Sequence, residues 1–220
     1  SPMLRFSGGP QPWAIVAAIR DVFDLRTLDP GQGVIPKDVD VLMIAHPLGL
    51  NEKALYAIDQ FVMGGGRVLL FVDPYSEATA RTQKQRGQQA VEQASSQLEK
   101  LLNTWGVSVS TSRVIGDFET SQQVNAGQAG RTRVVRYLVW LQMGSGNLSA
   151  EDVVTADLGP MILANAGSVE ALPKSEIVVT PLITTSTQAM LMETNLVRFG
   201  PDPDRLLEIF KPDGVRHIIA

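Results

Sequence analysis

The sequence predicts a mixed α/β fold that begins with a parallel sheet and continues in a part richer in strands. Two apolar runs of strand length, Val39–Ala45 and Arg67–Val72, lie on either side of an amphipathic helical segment. Both runs are apolar almost throughout, which is typical of parallel strands covered by helices on both faces. We therefore predict one domain, with a βαβ-rich core over residues 1–117 and a strand-rich extension over 118–220.

Local signals define the elements of the first part. Pro12 stands where a helix can start, and near-helical apolar spacing continues to Phe23. Asp24–Leu28 is predicted to be a short strand. Asn51 is predicted to cap the helix between the two core strands, and Gly64-Gly65-Gly66 to end it.

The middle of the chain changes character at Tyr75, and the polar, Gln-rich stretch to Gln89 predicts a surface excursion. A 3–4 apolar spacing predicts a helix from Val91 to Trp105, with its apolar stripe in the core. Thr120–Arg131 is rich in Gln, Ser, Gly and Ala and is predicted to be a loop. Strands are predicted at Val107–Val109, Arg113–Ile115, Val134–Met143, Met161–Ala164, Ile177–Thr180 and Gln188–Met192.

The composition excludes several classes of function. Of the 220 residues, 44% are hydrophobic, which argues against a disordered chain. The net charge is −4, and this lack of a basic excess argues against a nucleic-acid partner. The chain has no cysteine, so disulfides, Cys-ligated metals and thiol nucleophiles are ruled out. Only His46 and His217 could supply imidazole ligands, so we predict neither a metal site nor a cofactor. No apolar run reaches the ~20 residues that a membrane-spanning helix needs.

His46 and Asp73 each follow the carboxyl end of a predicted core strand, and Tyr75 comes just after. Open α/β sheets bind ligands at this edge, so we predict that these three residues contact a ligand. A His–carboxylate pair within ~3 Å in an open pocket would also suit acid–base catalysis. The structural alternative is that His46-Pro47 and Asp73-Pro74 only terminate strands in turns.

Three consecutive hydroxyl residues, Thr184, Thr185 and Ser186, form the second predicted part of the ligand site. Their hydroxyls can hydrogen-bond a polar ligand such as a sugar, or simply satisfy a turn. The chain contains no Gly-x-Ser-x-Gly motif and no thiol nucleophile, so we predict a binding protein rather than an enzyme.

Several segments together resemble a known family. They are Ile35–Leu42, His46-Pro47, Tyr56–Val62, Gly65–Arg67, Phe71–Pro74, Trp105-Gly106-Val107, Val114–Asp117 and Thr180-Pro181-Leu182. In these segments the chain resembles the auxiliary component of gliding-motility-type ABC transport systems of bacteria. The likeness spans most of residues 12–190 and is most specific in the Ile35–Pro74 block.

The resemblance implies a periplasmic domain of a bacterial inner-membrane protein, held by flanking transmembrane helices that lie outside this chain. It also implies a fold related to flavodoxin-like and class I glutamine-amidotransferase domains. The amidotransferase nucleophile cannot be carried over, because it is a cysteine and this chain has none. The family offers no catalytic residues to transfer.

Taken together, these observations predict a non-catalytic auxiliary component that works with a separate ATPase and permease, contacts the permease, and binds a sugar or peptide ligand. One alternative is a hydrolase or transferase, acting for example on carbohydrate, that uses His46 and Asp73. A second is a periplasmic scaffold that binds no small ligand.

Overall fold

A computed structural model describes residues 14–29, 31–85, 98–127, 132–198 and 202–219 of the chain. These residues form six helices and nine strands, which confirms the mixed α/β class. In chain order they are α1 (Ala14–Arg20), β1 (Val41–Ala45), α2 (Glu52–Met63), β2 (Arg67–Phe71), α3 (Glu77–Gln85), α4 (Glu99–Thr104), β3 (Val107–Val109), β4 (Arg113–Asp117), β5 (Ser121–Asn125), β6 (Val134–Met143), β7 (Met161–Ala164), β8 (Val169–Ala171), β9 (Ala189–Glu193), α5 (Asn195–Arg198) and α6 (Pro203–Ile209).

The predicted βαβ unit is confirmed. Strands β1 and β2 pair in parallel from Val41 opposite Arg67 to Ala45 opposite Phe71, and α2 connects them. The Asn51 side chain caps α2 by accepting a hydrogen bond from the Ala54 amide at 2.8 Å. The helix ends at Gly64, as predicted from the glycine run.

The parallel sheet is smaller and more open than the sequence predicts. Among the described residues it has two strands, and helices α2 and α4 both pack on the same face, against Leu42, Ile44 and Leu70. The opposite face leaves Leu69 and Phe71 each 48% exposed. The prediction of helices on both faces is therefore wrong here, and a flavodoxin-like architecture is not confirmed. Apolar composition identified the strands, but it does not encode what covers each side.

The remaining sheets are antiparallel: β3 pairs with β8, β4 pairs with β9, and β5, β6 and β7 form a three-stranded sheet. Strands before residue 118 thus pair with strands that follow it, which ties the two predicted parts together. In β4 the adjacent residues Val114 and Ile115 are fully buried in two different apolar clusters, one on each side of the strand.

Two predicted strands are wrong. Asp24–Leu28 has no strand structure, and Arg26 in its middle forms exposed ion pairs with Asp24 and Asp38 at 3.2 and 2.7 Å. Ile177–Thr180 also lies outside any strand, and Val178 is 89% exposed. Both segments have β-branched or apolar residues, yet in the described structure neither has a neighbouring strand with which to pair.

Two polar segments contain regular structure that the sequence did not reveal. The predicted loop at Thr120–Arg131 contains β5, which pairs with β6 through Val124 opposite Val135. The predicted excursion after Tyr75 contains α3. The helix predicted over Val91–Trp105 is described only in its last part, as α4. Leu101 and Leu102 are buried there, as predicted. Residues 91–97 and Pro12 lie outside the described residues.

Candidate functional site

The parallel pairing of β1 and β2 brings His46 and Asp73 together at the carboxyl edge of the sheet. The His46 Nδ1 atom lies 3.5 Å from the Asp73 Oδ2 atom. This is ion-pair distance when the imidazole is protonated, and it is longer than the ~3 Å hydrogen bond that the catalytic alternative requires. The His46 side chain is 11% exposed and that of Asp73 is 42% exposed.

Burial dominates the electrostatics of this pair. Desolvation raises the pKa of the Asp73 carboxyl above its usual range, and attraction to His46 offsets that rise only in part. The backbone of His46 has a φ of +41°, in the left-handed region, and its amide donates to the Phe71 carbonyl at 2.9 Å. Such backbone strain costs about 1–3 kcal/mol and concentrates at functional sites.

Glu77, in the first turn of α3, connects this edge to the antiparallel part of the fold. Its Oε1 atom accepts hydrogen bonds from Trp140 Nε1 and Asn165 Nδ2, each at 2.8 Å. Its Oε2 atom accepts from Arg81 at 3.1 Å. We use the name edge cluster for five residues that follow the ends of three strands. His46 follows β1, Asn165 follows β7, and Asp73, Tyr75 and Glu77 follow β2.

Two tyrosines lie beside the Glu77 carboxylate. Burial raises the pKa of the Tyr75 hydroxyl, and the negative charge of Glu77 raises it further. The same two causes, in the same order, raise the pKa of Tyr137. The Tyr137 ring packs edge-on to Trp140, with 5.4 Å between ring centroids. Both phenols therefore stay protonated at neutral pH and can donate a hydrogen bond.

Asn165 shares an unusual backbone with His46. Its φ is +55°, and the residue is 1% exposed. Its backbone N–H donates to the Val139 carbonyl at 2.8 Å. Its Oδ1 atom is buried without a hydrogen-bond partner among the described residues. Two strained non-glycine residues thus directly follow β1 and β7 and belong to the same cluster.

The predicted hydroxyl row is mostly used inside the protein. Thr185 is fully buried, and its hydroxyl donates to the Ser186 carbonyl at 2.8 Å and accepts from the His217 amide at 2.9 Å. The Thr184 carbonyl accepts a hydrogen bond from the Asn147 side chain at 3.0 Å. These threonine contacts are therefore structural, and two of them join segments that are distant along the chain.

Ser186 is anchored by a buried carboxylate. Its amide and its hydroxyl each donate to Asp117 at 2.7 Å. The same carboxylate accepts from the amides of Glu119 and Thr120 at 2.9 and 3.3 Å. Ser186 also lines an open cleft whose other lining residues include none of the edge cluster, so the residues predicted as one site fall in two places.

Sequence reasoning missed Glu77, Asn165 and Asp117. Glu77 and Asn165 are 88 positions apart, and Asp117 and Ser186 are 69 apart, so no local spacing connects either pair. The sequence carried a signal for Asp117 alone, because this acidic residue directly follows the apolar run Val114-Ile115 and Gly116. Glu77 lies in a segment whose polarity suggested only surface.

The edge cluster offers the chemistry of polar recognition: two carboxylates, an imidazole, a phenol and an amide. The described residues contain no group of three His, Asp or Glu side chains placed to hold a metal ion. Proton transfer between an imidazole and a carboxylate is the one catalytic step that the His46–Asp73 geometry suggests.

Comparison with known proteins identifies the chain at the level of a family. A family model described as "ABC-type uncharacterized transport system" matches residues 3–220. Comparison with curated proteins gives no match. Within the described ranges, no helix has the length and apolar character needed to cross a membrane.

Proposed function

Because this chain belongs to the family of auxiliary components of ABC-type transport systems, we propose that it acts as their non-catalytic, periplasmic domain. In this proposal it is part of a bacterial inner-membrane protein of the gliding-motility type, and it works beside a separate ATPase and permease. The observation that carries the proposal is the family match, which extends over almost the whole chain rather than over one motif.

The exposed face of the parallel sheet supports a contact with the permease. Val41, Leu69 and Phe71 lie on this face and are 54%, 48% and 48% exposed. Contiguous exposed apolar surface marks interaction sites on soluble domains. We therefore assign the permease contact to this outer face of β1 and β2.

The edge cluster supports the binding of a polar ligand, a sugar or a peptide. Tyr75 and Glu77 lie in or next to the loop that follows β2, where open α/β sheets recognise ligands. Strain at His46 and Asn165 indicates that the fold holds these side chains in place at a cost.

Copurification tests the transporter assignment. The full-length membrane protein is expressed with the ATPase and permease of its own transport system and purified in mild detergent through a tag on this protein. We expect all three proteins to elute together. If the ATPase and permease copurify with each other while this protein elutes alone, the assignment is wrong.

The meeting of His46 and Asp73 at one edge of the sheet favours a second candidate function, a hydrolase or transferase acting for example on carbohydrate. In this candidate, substrate binding must shorten their 3.5 Å separation to hydrogen-bond distance. His46→Asn keeps a residue type that tolerates positive φ while removing the imidazole. This candidate predicts a fall of at least about 100-fold in turnover with unchanged copurification. Unchanged turnover in the variant would remove His46 from the reaction.

A further inference from the structure

A second polar site lies away from the edge cluster, in an open cleft of about 560 Å³. It is formed by the turn after β4, the turn after β6 and the end of the chain. Its lining includes Glu119, Gln142, Gly146, Asn147, Ser186 and Arg216. The site is independent of the permease contact proposed above.

The walls of the cleft are rigidly held. Ser186 is fixed by the buried Asp117 carboxylate at 2.7 Å, and the Ser121 hydroxyl donates to the Phe118 carbonyl at 2.8 Å. The Asn147 side chain bridges the two sides, because its Oδ1 atom accepts from the Gly144 amide and its Nδ2 atom donates to Thr184. A ligand therefore meets polar groups that are already ordered, which lowers the entropic cost of binding.

Opposite charges lie on the lining. Arg216 donates to the Thr185 carbonyl at 3.1 Å and, like Glu119, forms no salt bridge within the described part of the chain. A ligand that carries both a carboxylate and an amine can pair with both side chains.

Neutral groups complete the pattern. The Thr120 hydroxyl is buried without a hydrogen-bond partner among the described residues. The Gln142 Oε1 atom accepts a hydrogen bond from Gln122 Nε2 at 2.8 Å. The two N–H groups of the Gln142 side chain take no part in that bond. Hydroxyl and amide groups of this kind match the N–H and C=O groups of a peptide. None of the described lining residues is aromatic, so the cleft lacks the flat stacking surface on which sugar rings commonly pack.

Gly144 and Gly146 leave the cleft open. A Cβ atom added at either position meets no other atom within 4 Å, and neither backbone lies in the left-handed region. Glycine is therefore not needed there for folding, while it does let a ligand approach the backbone closely.

We propose that this cleft binds a short peptide with free termini, whose carboxylate pairs with Arg216 and whose amine pairs with Glu119. The side-chain amide of Gln142 then hydrogen-bonds the peptide backbone.

Equilibrium dialysis of the 220-residue chain tests this proposal, using a pooled tripeptide library with free termini and mass spectrometry as the readout. We expect retained peptides, and at least about tenfold weaker retention when the same pool is amidated at its carboxyl termini. Gly146→Val adds a branched side chain to the cleft lining and should weaken retention at least about tenfold. Gly159→Val is the matched control, because its side chain also enters open space and Gly159 does not line the cleft.

Three outcomes would overturn the proposal: no peptide retained by the folded wild-type chain, equal retention by Gly146→Val, or equal retention of the amidated pool. Thermal unfolding of both valine variants confirms that they fold. Because the assay contains neither ATPase nor permease, its failure leaves the copurification result unaffected, and the two proposals can fail separately.

Discussion

At the scale of single residues, the Asp117 carboxylate is the centre of a buried hydrogen-bond network that the sequence did not predict. Its carboxylate is fully buried and accepts from the Ser186 amide and hydroxyl and from the Glu119 and Thr120 amides. Carboxylates are almost never fully buried unless they are paired or fully hydrogen-bonded. Asp117 therefore fixes both the end of β4 and the segment before β9.

Asp117→Ala is expected to destabilise the chain by about 3 kcal/mol, because it leaves several buried donors without an acceptor. Urea unfolding followed by circular dichroism measures the change. Asp157→Ala is the control, since Asp157 is exposed and its replacement should shift stability by less than about 0.5 kcal/mol. Equal losses in the two variants would show that Asp117 has no special structural role.

Single residues also show where sequence reasoning stops. The meeting of His46 and Asp73 was predictable, because both follow parallel strands that a single helix connects. Thr185 and Ser186 were predicted to face a ligand, but their hydroxyls are used by His217 and Asp117. A hydroxyl in a sequence does not reveal its partner when that partner is distant along the chain.

At the scale of elements, the Glu77 side chain joins α3 to the antiparallel part of the fold. The Glu77 carboxylate accepts from Trp140 in β6 and from Asn165 after β7, and so joins the helix to the three-stranded sheet. The helix sequence, EATARTQKQ, is mostly polar, so these two hydrogen bonds are a major part of what positions it.

Glu77→Ala is expected to cost about 2 kcal/mol of stability, because Trp140 Nε1 and Asn165 Nδ2 lose their acceptor. Glu77→Gln should cost less, since its side-chain oxygen can still accept one of the two bonds. Arg81→Ala removes only the exposed partner and is expected to cost less than about 0.5 kcal/mol. Denaturant unfolding of the three variants checks this order, and a loss in Arg81→Ala as large as in Glu77→Ala would contradict it.

Apolar pattern predicted several strands correctly, while it failed at Ile177–Thr180 and gave no signal for the polar strand β5. Strands β6 and β7 match their predicted bounds, Val134–Met143 and Met161–Ala164. Strand β5 was predicted as a loop, because its Gln-rich sequence shows no core pattern and its pairing partner fixes it. Pairing across long sequence separations is a tertiary effect that local propensity does not encode.

At the scale of the whole molecule, a small parallel unit is joined to antiparallel sheets that strands from both halves of the chain build together. The apolar clusters bury one face of β1 and β2, and the outer face remains exposed at Leu69 and Phe71. In the function proposed above, this outer face contacts the permease.

Site-specific photocrosslinking in native membranes tests the proposed permease contact most directly. A photoreactive amino acid replaces Phe71 on the exposed sheet face, or Val153 as a control that is 93% exposed elsewhere on the surface. We expect a crosslink from position 71 to the permease and none from position 153. Crosslinks from position 71 that stay within this chain or join two copies of it, with no product containing the permease, would contradict it.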